Sequence, residues 1–225
     1  MKRGKLILIE GTDCSGKETQ SKLLIDYLKS NGIDVVRMAF PAYDSPTGKI
    51  VGGPYLGKDY ICDGWFPEGA PNVDPKVSAL YYAADFLYHL DEMNKILDSG
   101  TWIILDRYFY STLAHQGSKE RNKAKRYEMY KWFMGLFCDT LELPDPDIKL
   151  FLHMPYDCSI VLRQGREEKP DQNEASETHL RQAETAYKEI AKEYNFETIK
   201  CGGSRKIKTI DEIHDGVVKV LKKHI

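Results

Sequence analysis

The chain has 225 residues, with 32 Lys and Arg against 34 Asp and Glu, a net charge of −2, 42% hydrophobic and 29% charged residues. That length can bury one sizeable α/β core, and that charge excludes a global basic footprint for DNA, RNA or an anionic membrane. Five cysteines at 14, 62, 138, 158 and 201, an odd number with no CxxC spacing, argue against a disulfide framework or a zinc site. The apolar run at 6–9 is too short for a signal peptide, and no run of about 18 apolar residues follows. The expectation is a cytoplasmic protein with no membrane and no nucleic-acid partner.

An apolar run at 5–9, closed by Glu10-Gly11, reads as a buried strand feeding a turn. Leu23, Leu24, Tyr27 and Leu28 follow helical spacing over 17–29, and Asn31-Gly32 ends that helix. A second strand at 35–40 stops at Pro41. Residues 41–76 are rich in Gly, Pro and Asp and predict loop with one or two helical turns. A long helix runs over 75–99 to Gly100, followed by a strand at 102–105, a helical stretch at 108–119 and an amphipathic helix at 124–141. The sequence 143–147 breaks it before a fourth strand at 148–153. Residues 155–172 are polar with little apolar content; a helix at 174–194, a strand at 196–199 and a closing helix at 209–223 complete the chain. Alternating strands and helices predict a parallel sheet covered by helices on both faces. No repeat or linker divides the chain, so one domain spans 1–225, with residues 155–173 as a flap on it.

Gly11-Thr12-Asp13-Cys14-Ser15-Gly16-Lys17 has the spacing GxxxxGK directly after a strand and before a helix. Glycines let backbone N–H groups curl around phosphate oxygens, the helix N-terminus adds partial positive charge, and Lys17 reaches the terminal phosphates of a nucleotide. The next residue is Glu18, where a metal-bound Ser or Thr usually stands; Thr19 follows. Glu18 either meets metal or faces solvent at the first helical turn, where an acid suits the dipole. The strand at 102–105 ends in Asp106-Arg107-Tyr108. Ligands gather at the carboxyl ends of parallel strands, so Asp106 is placed to order the hydration shell of a metal and Arg107 to clamp a phosphate.

The ordered set IEGTDCSGKETQ, Phe40-Pro41, LYYAAD, DRYFYSTLAHQG and LPDPD resembles the thymidylate kinase family from about residue 5 to residue 195. The resemblance implies a P-loop NTPase fold, three-layer α/β/α with a five-stranded parallel sheet. It implies transfer of the γ-phosphoryl of ATP to dTMP with Mg²⁺, and a homodimer. Asp13 falls at a place that reads the sugar or supports the metal, or else stabilises the turn. Phe40 lines the acceptor pocket. Tyr43 donates to the acceptor phosphate or packs in the loop, and Ala42 stands where bacterial members often have Arg. Tyr82 matches an aromatic that stacks on the base, while Phe86 stands where an Arg meets a base carbonyl. Ser111-Thr112 replaces Ser-Asn. His115 is near the sugar or on the helix surface. Glu174 matches a carboxylate near the metal and sugar of the acceptor, or is a first-turn acid. With Cys14 neutral, the positive charge falls to the flap, on Arg163, Arg166 and Lys169. The aromatics Tyr127, Tyr130, Phe133 and Phe137 and the three tryptophans read as structural.

Two rival readings follow from the departures. Ala42, Phe86 and Thr112 suit a kinase for another or modified deoxynucleoside monophosphate, and Glu18 suits a nucleotide-binding module without turnover. The segment 58–72 fits the family pattern poorly and reads as either a specificity loop or plain surface.

Overall fold

The computed structural model describes residues 2–164, 172–173, 175–203 and 206–224. Five parallel strands form one sheet: β1 (Leu6–Gly11), β2 (Val35–Ala39), β3 (Trp102–Asp106), β4 (Ile148–His153) and β5 (Glu197–Lys200), in the order β2-β3-β1-β4-β5. β1 is central. Leu6 pairs in register with Ile103 on one side, and Ile7 with Ile148 on the other. The chain leaves β1 to one side for β2 and β3 and to the other for β4 and β5, so its crossovers diverge at the carboxyl end of β1. That is the place where open α/β sheets bind ligands.

Alternation along the strands makes the layers. Leu6, Leu8, Ile103 and Leu105 join a core with residues of α3 (Pro75–Asp98), α4 (Phe109–Gly117), α5 (Lys123–Met134) and α7 (Glu177–Glu193). Ile7, Ile9, Ile104, Leu150 and Leu152 join a second core with α1 (Lys17–Ser30) and α8 (Ile210–Leu221). β1 is buried throughout, as a strand covered on both faces must be. A third, smaller cluster of Val51, Tyr55, Leu56, Ala70 and Val73 sits beside α3 with Tyr43, Tyr81 and Tyr82.

Helix starts follow local chemistry. Pro75 opens α3 after Asp74, whose carboxylate accepts from Lys76 N–H at 2.8 Å, a typical N-cap. Thr209 and Glu212 form a capping box at α8. α1 begins after Gly16 in the left-handed region (φ 82°) with no side-chain cap, which leaves its first N–H donors for another acceptor.

Two segments differ from the sequence expectation, the stretch from 155 and the pairing that follows β5. The stretch from 155 carries a helix, α6 (Tyr156–Arg163), because Tyr156 and Cys158 supply a buried apolar footing and Glu184 accepts from Tyr156 N–H at 3.0 Å. The helical turns expected within 41–76 fall at 46–55, as a short helix, α2 (Pro46–Ile50), running into a π-helical turn (Val51–Tyr55). Residues 202–203 and 206–207 pair antiparallel. Of the tryptophans read as structural, Trp65 is largely exposed. Tyr130, Phe133 and Phe137 are buried in the core, while Tyr127 packs against it from the edge. Among the described residues, no helix is long and apolar enough to cross a membrane.

Candidate active site

The loop 11–17 is held by its own backbone and by β4. Thr12 Oγ1 donates to Met154 O at 2.7 Å and accepts from Met154 N–H at 2.9 Å. A Cβ at Gly11 would lie 2.4 Å from Ser15 Oγ and 2.7 Å from Leu152 O, so only glycine fits there. Cys14 and Gly16 both have positive φ, the backbone that turns successive N–H groups inward to form an anion nest. Lys17 is buried and donates to Gly11 O at 3.0 Å and Thr12 O at 3.1 Å. Burial, reinforced by Arg107, lowers its pKa to about 8. Ser15 Oγ is buried with no hydrogen-bond partner among the described residues. A polar atom so placed calls for a ligand.

Arg107 stands at φ 66°, a conformation costly for a non-glycine residue and common at functional sites. Its guanidinium reaches Asp13 Oδ1 at 3.3 Å and Tyr187 OH at 3.3 Å. Burial opposes its charge, but Tyr187, Asp13, Glu10 and Asp106 outweigh that and hold its proton more firmly than usual. Burial also opposes ionisation of Asp13, yet Arg107 and Lys17 keep its carboxyl below the usual range. Asp13 Oδ2 is buried with no partner among the described residues. Asp106 ends β3 beside the loop and accepts a short 2.6 Å bond from Arg37 on β2. Glu18 is exposed and pairs with Lys22 at 2.7 Å.

These groups and the residues expected on the acceptor side line one cavity of about 590 Å³, a size suited to a nucleotide-scale ligand. Asp13, Cys14, Ser15, Gly16, Lys17, Glu18 and Thr19 form one end, and Asp106 and Arg107 adjoin them. Phe40, Tyr43, Tyr82, Phe86, Ser111, Thr112 and His115 line the remainder. Gly11 and Thr12 shape the loop from behind. Asp85, fully buried, accepts from Ala42 N–H at 2.9 Å and Thr47 Oγ1 at 2.7 Å and so fixes the turn after the cis Phe40–Pro41 bond. Phe86 is a core residue as much as a lining one: its ring centre lies 5.1 Å from Phe40 and 5.1 Å from Tyr108. Thr112 Oγ1 is buried without a partner among the described residues.

His115 does not lie on a helix surface. Its Nδ1 is 3.2 Å from His179 Nε2 and the rings stack at 5.4 Å. Burial first, then His179 and Arg107, push its pKa well down, so it is neutral at neutral pH. Arg163, at the end of α6, lines a small adjoining pocket with Asp13 and His115. Arg166, Lys169 and Glu174 lie outside the described residues. Among the described residues no cluster of three or more His, Cys, Asp or Glu forms a metal cage.

Sequence reasoning did not single out Glu10, Arg37, Lys58, Tyr187 or His179. Glu10 is buried and accepts from Tyr108 N–H at 3.0 Å, Ser111 N–H at 2.9 Å and Ser111 Oγ at 2.6 Å. It caps α4 from the end of β1 and so fixes the turn that carries Arg107. Burial raises its pKa against the pull of Arg107. An acid closing an otherwise apolar strand was the available signal.

A family profile described as thymidylate kinase matches residues 9–213. The chain belongs to the thymidylate kinase family. A thymidylate kinase from Plasmodium falciparum is 31% identical over 99% of this chain and 91% of its own length. One from Carboxydothermus hydrogenoformans is 31% identical over 88% of this chain and 89% of its own. A solved thymidylate kinase from Candida albicans shares the fold at a TM-score of 0.73 with 24% identity, covering 99% of this chain and 92% of that one. As a member of this family the chain is an ATP-dependent kinase with the P-loop NTPase fold.

Proposed function

We propose that the enzyme transfers the γ-phosphoryl group of ATP to dTMP, giving ADP and dTDP. The observation that carries this reading is that the phosphate loop and an aromatic acceptor wall open onto the same cavity, with Arg107 between them. A hydrolase of nucleoside triphosphates would need no second, aromatic-lined half.

The chemistry assigned to the residues is mostly positioning and charge, as phosphoryl transfer requires. The inward N–H groups of the loop and the uncapped start of α1 hold the triphosphate, and Lys17 exchanges its two carbonyl partners for phosphate oxygens. Arg107 takes the acceptor phosphate, steadied by Asp13, Tyr187 and the Glu10 cap. Tyr82 offers its face to the base, Phe40 walls the pocket, and Tyr43 and Ser111 offer hydroxyls to the acceptor. His115 fills the space beside the sugar. Arg163, with Arg166 and Glu174 of the segment beyond it, completes the set we assign to catalysis and acceptor binding.

Mg²⁺ suits this donor set. It keeps several waters and needs only one or two carboxylates beside the phosphates. Asp106, with one oxygen braced by Arg37, and Asp13, with a buried oxygen lacking a partner among the described residues, would hold it. Bound there, the ion would screen the charge of the β- and γ-phosphates. Glu18, paired with Lys22 and exposed, is left out of that set.

A homodimer is part of the proposal. Val77, Leu80, Leu87 and Tyr88 make an exposed apolar stripe along α3, a pattern that marks an interaction surface. Sedimentation should show a dimer that Leu80→Lys shifts toward monomer; a wild-type monomer at micromolar concentration would refute it.

A second reading concerns the base. Phe86 offers no donor to a base carbonyl, so another pyrimidine monophosphate can compete with dTMP. Rates with ATP and Mg²⁺ against a panel of deoxy- and ribonucleoside monophosphates test both. The highest kcat/KM is expected for dTMP. A clearly better acceptor would move the assignment to that nucleotide, and no product with any would end the kinase reading.

A further inference from the structure

The stretch from Gly57 to Gly69 holds no helix or strand, yet it forms part of the cavity wall. Leu56, Lys58 and Tyr60 line the cavity, and the ring of Tyr60 meets that of Tyr43 edge-on at 6.5 Å between centres. A wall without ladder bonds of its own needs support from elsewhere. Gln172 supplies it at both ends. Its N–H donates to Leu56 O at 3.4 Å, and its side-chain Oε1 accepts from Ala70 N–H at 2.7 Å. Ala70 is held in turn, its carbonyl accepting from Lys119 Nζ at 2.9 Å.

Glycines make the socket for this amide. A Cβ at Gly57 would lie 2.8 Å from Gln172 Nε2, one at Gly64 2.7 Å from the same atom, and one at Gly69 3.5 Å from Oε1. Gly57 and Gly69 also stand at positive φ, 66° and 75°, so their turns call for glycine in any case. Gly64 does not share that conformation. The other atoms a Cβ there would meet, Gly57 Cα at 3.5 Å and Gln172 Cδ at 3.6 Å, are at ordinary contact distance. What a side chain at Gly64 would strike is therefore Gln172 Nε2. Gln172 does not itself line the cavity, whereas Asn173 beside it does. Resting on the kinase reading above, we propose that Gln172 is a positioning residue of the acceptor site. It pins the two ends of the 56–70 loop, fixes the wall against which the acceptor nucleotide binds, and so sets the affinity for it without touching it.

The test is a double-mutant cycle of Gln172→Ala, which empties the socket, and Gly64→Ala, which crowds it. Steady-state kinetics give kcat and KM for dTMP and for ATP, and calorimetry gives the Kd of dTMP; where the panel above selects another acceptor, the cycle is run with that nucleotide as well. Each single change is expected to raise the KM and Kd of dTMP about three- to ten-fold, the range for one lost hydrogen bond. None of the contacts that hold the loop involves residues 11–19, so kcat and the KM for ATP stay unchanged. In the Gln172→Ala background, Gly64→Ala adds nothing, because the atom it would strike is gone. Unchanged dTMP affinity in Gln172→Ala would overturn the proposal. So would an equal rise in the KM for ATP, which marks a general loosening of the fold, or full additivity of the two changes. If the wild type binds dTMP but forms no dTDP, the kinase reading falls while the calorimetric cycle still decides the role of Gln172.

Discussion

At the phosphate-loop end of the cavity, nearly every polar group comes from residues 11–19 and from the end of the neighbouring strand β3. At the acceptor end the wall is assembled from the Phe40–Tyr43 turn, the loop around Lys58, α3, α4 and Asn173, which are far apart in sequence. The first end is a local structure whose shape follows from two glycines and a strand–helix junction. The second is a tertiary structure that exists only once α3 and α4 have packed on the sheet. Changes at the first end should therefore alter chemistry while sparing acceptor selectivity, and changes at the second should do the reverse.

The largest expected effect is at the loop. Lys17→Ala should lower kcat/KM on the order of 10³-fold, comparable to removing a transition-state charge donor, with the fold intact by circular dichroism. Thr12→Val removes both bonds to Met154 at a cost of about 2 kcal/mol. Calorimetry should then show Tm falling by roughly 4–8 °C; an unchanged Tm would mean that β4 does not brace the loop. At the other end, Tyr82→Ala should raise the KM for dTMP roughly ten-fold, as expected for a lost base-stacking face, and leave that for ATP alone. A matching rise for ATP would erase the distinction between the two ends.

The smallest effect is in pH. Lys17 titrates near 8 instead of near 10.5, because burial disfavours its charge. Phosphate favours the ammonium form. ATP affinity should therefore be full below about pH 8 and fall as pH rises through it, with net proton uptake on binding in that window. Stability of the empty enzyme has the opposite sign: between about 8 and 10.5 the unfolded chain holds the proton that folded Lys17 has released, so the Lys17 contribution rises with pH. Calorimetry in buffers of different ionisation enthalpy reads the uptake, and Lys17→Met should abolish it.

The same contrast explains what was legible beforehand. β1, the loop and α1 are readable because an apolar run, a glycine spacing and a helical stripe follow one another without interruption. Asp106-Arg107 is readable from its place at a strand end. Arg37 is not, because a charged residue within a strand carries no mark of which neighbour it will brace. Tyr187 lies on the stripe of Leu180, Ala183, Tyr187 and Ile190 and reads as core, which it is; that its hydroxyl also meets Arg107 depends on how α7 docks on α4. α6 escaped notice because two buried side chains, Tyr156 and Cys158, suffice to anchor a short helix in a polar stretch. The segment around Lys58 has no period, and its packing emerges only from the glycine socket that Gln172 fills.

One assay decides whether both ends serve a single reaction. Purified enzyme is given equimolar ATP and dTMP with Mg²⁺, and ADP and dTDP are resolved by chromatography, with Lys17→Ala alongside. We expect ADP and dTDP to appear in equal amounts at every time point, and on the order of 10³-fold more slowly with Lys17→Ala. ADP without dTDP, or ATP binding with no turnover at all, would mean that the acceptor wall does not serve phosphoryl transfer to a nucleotide.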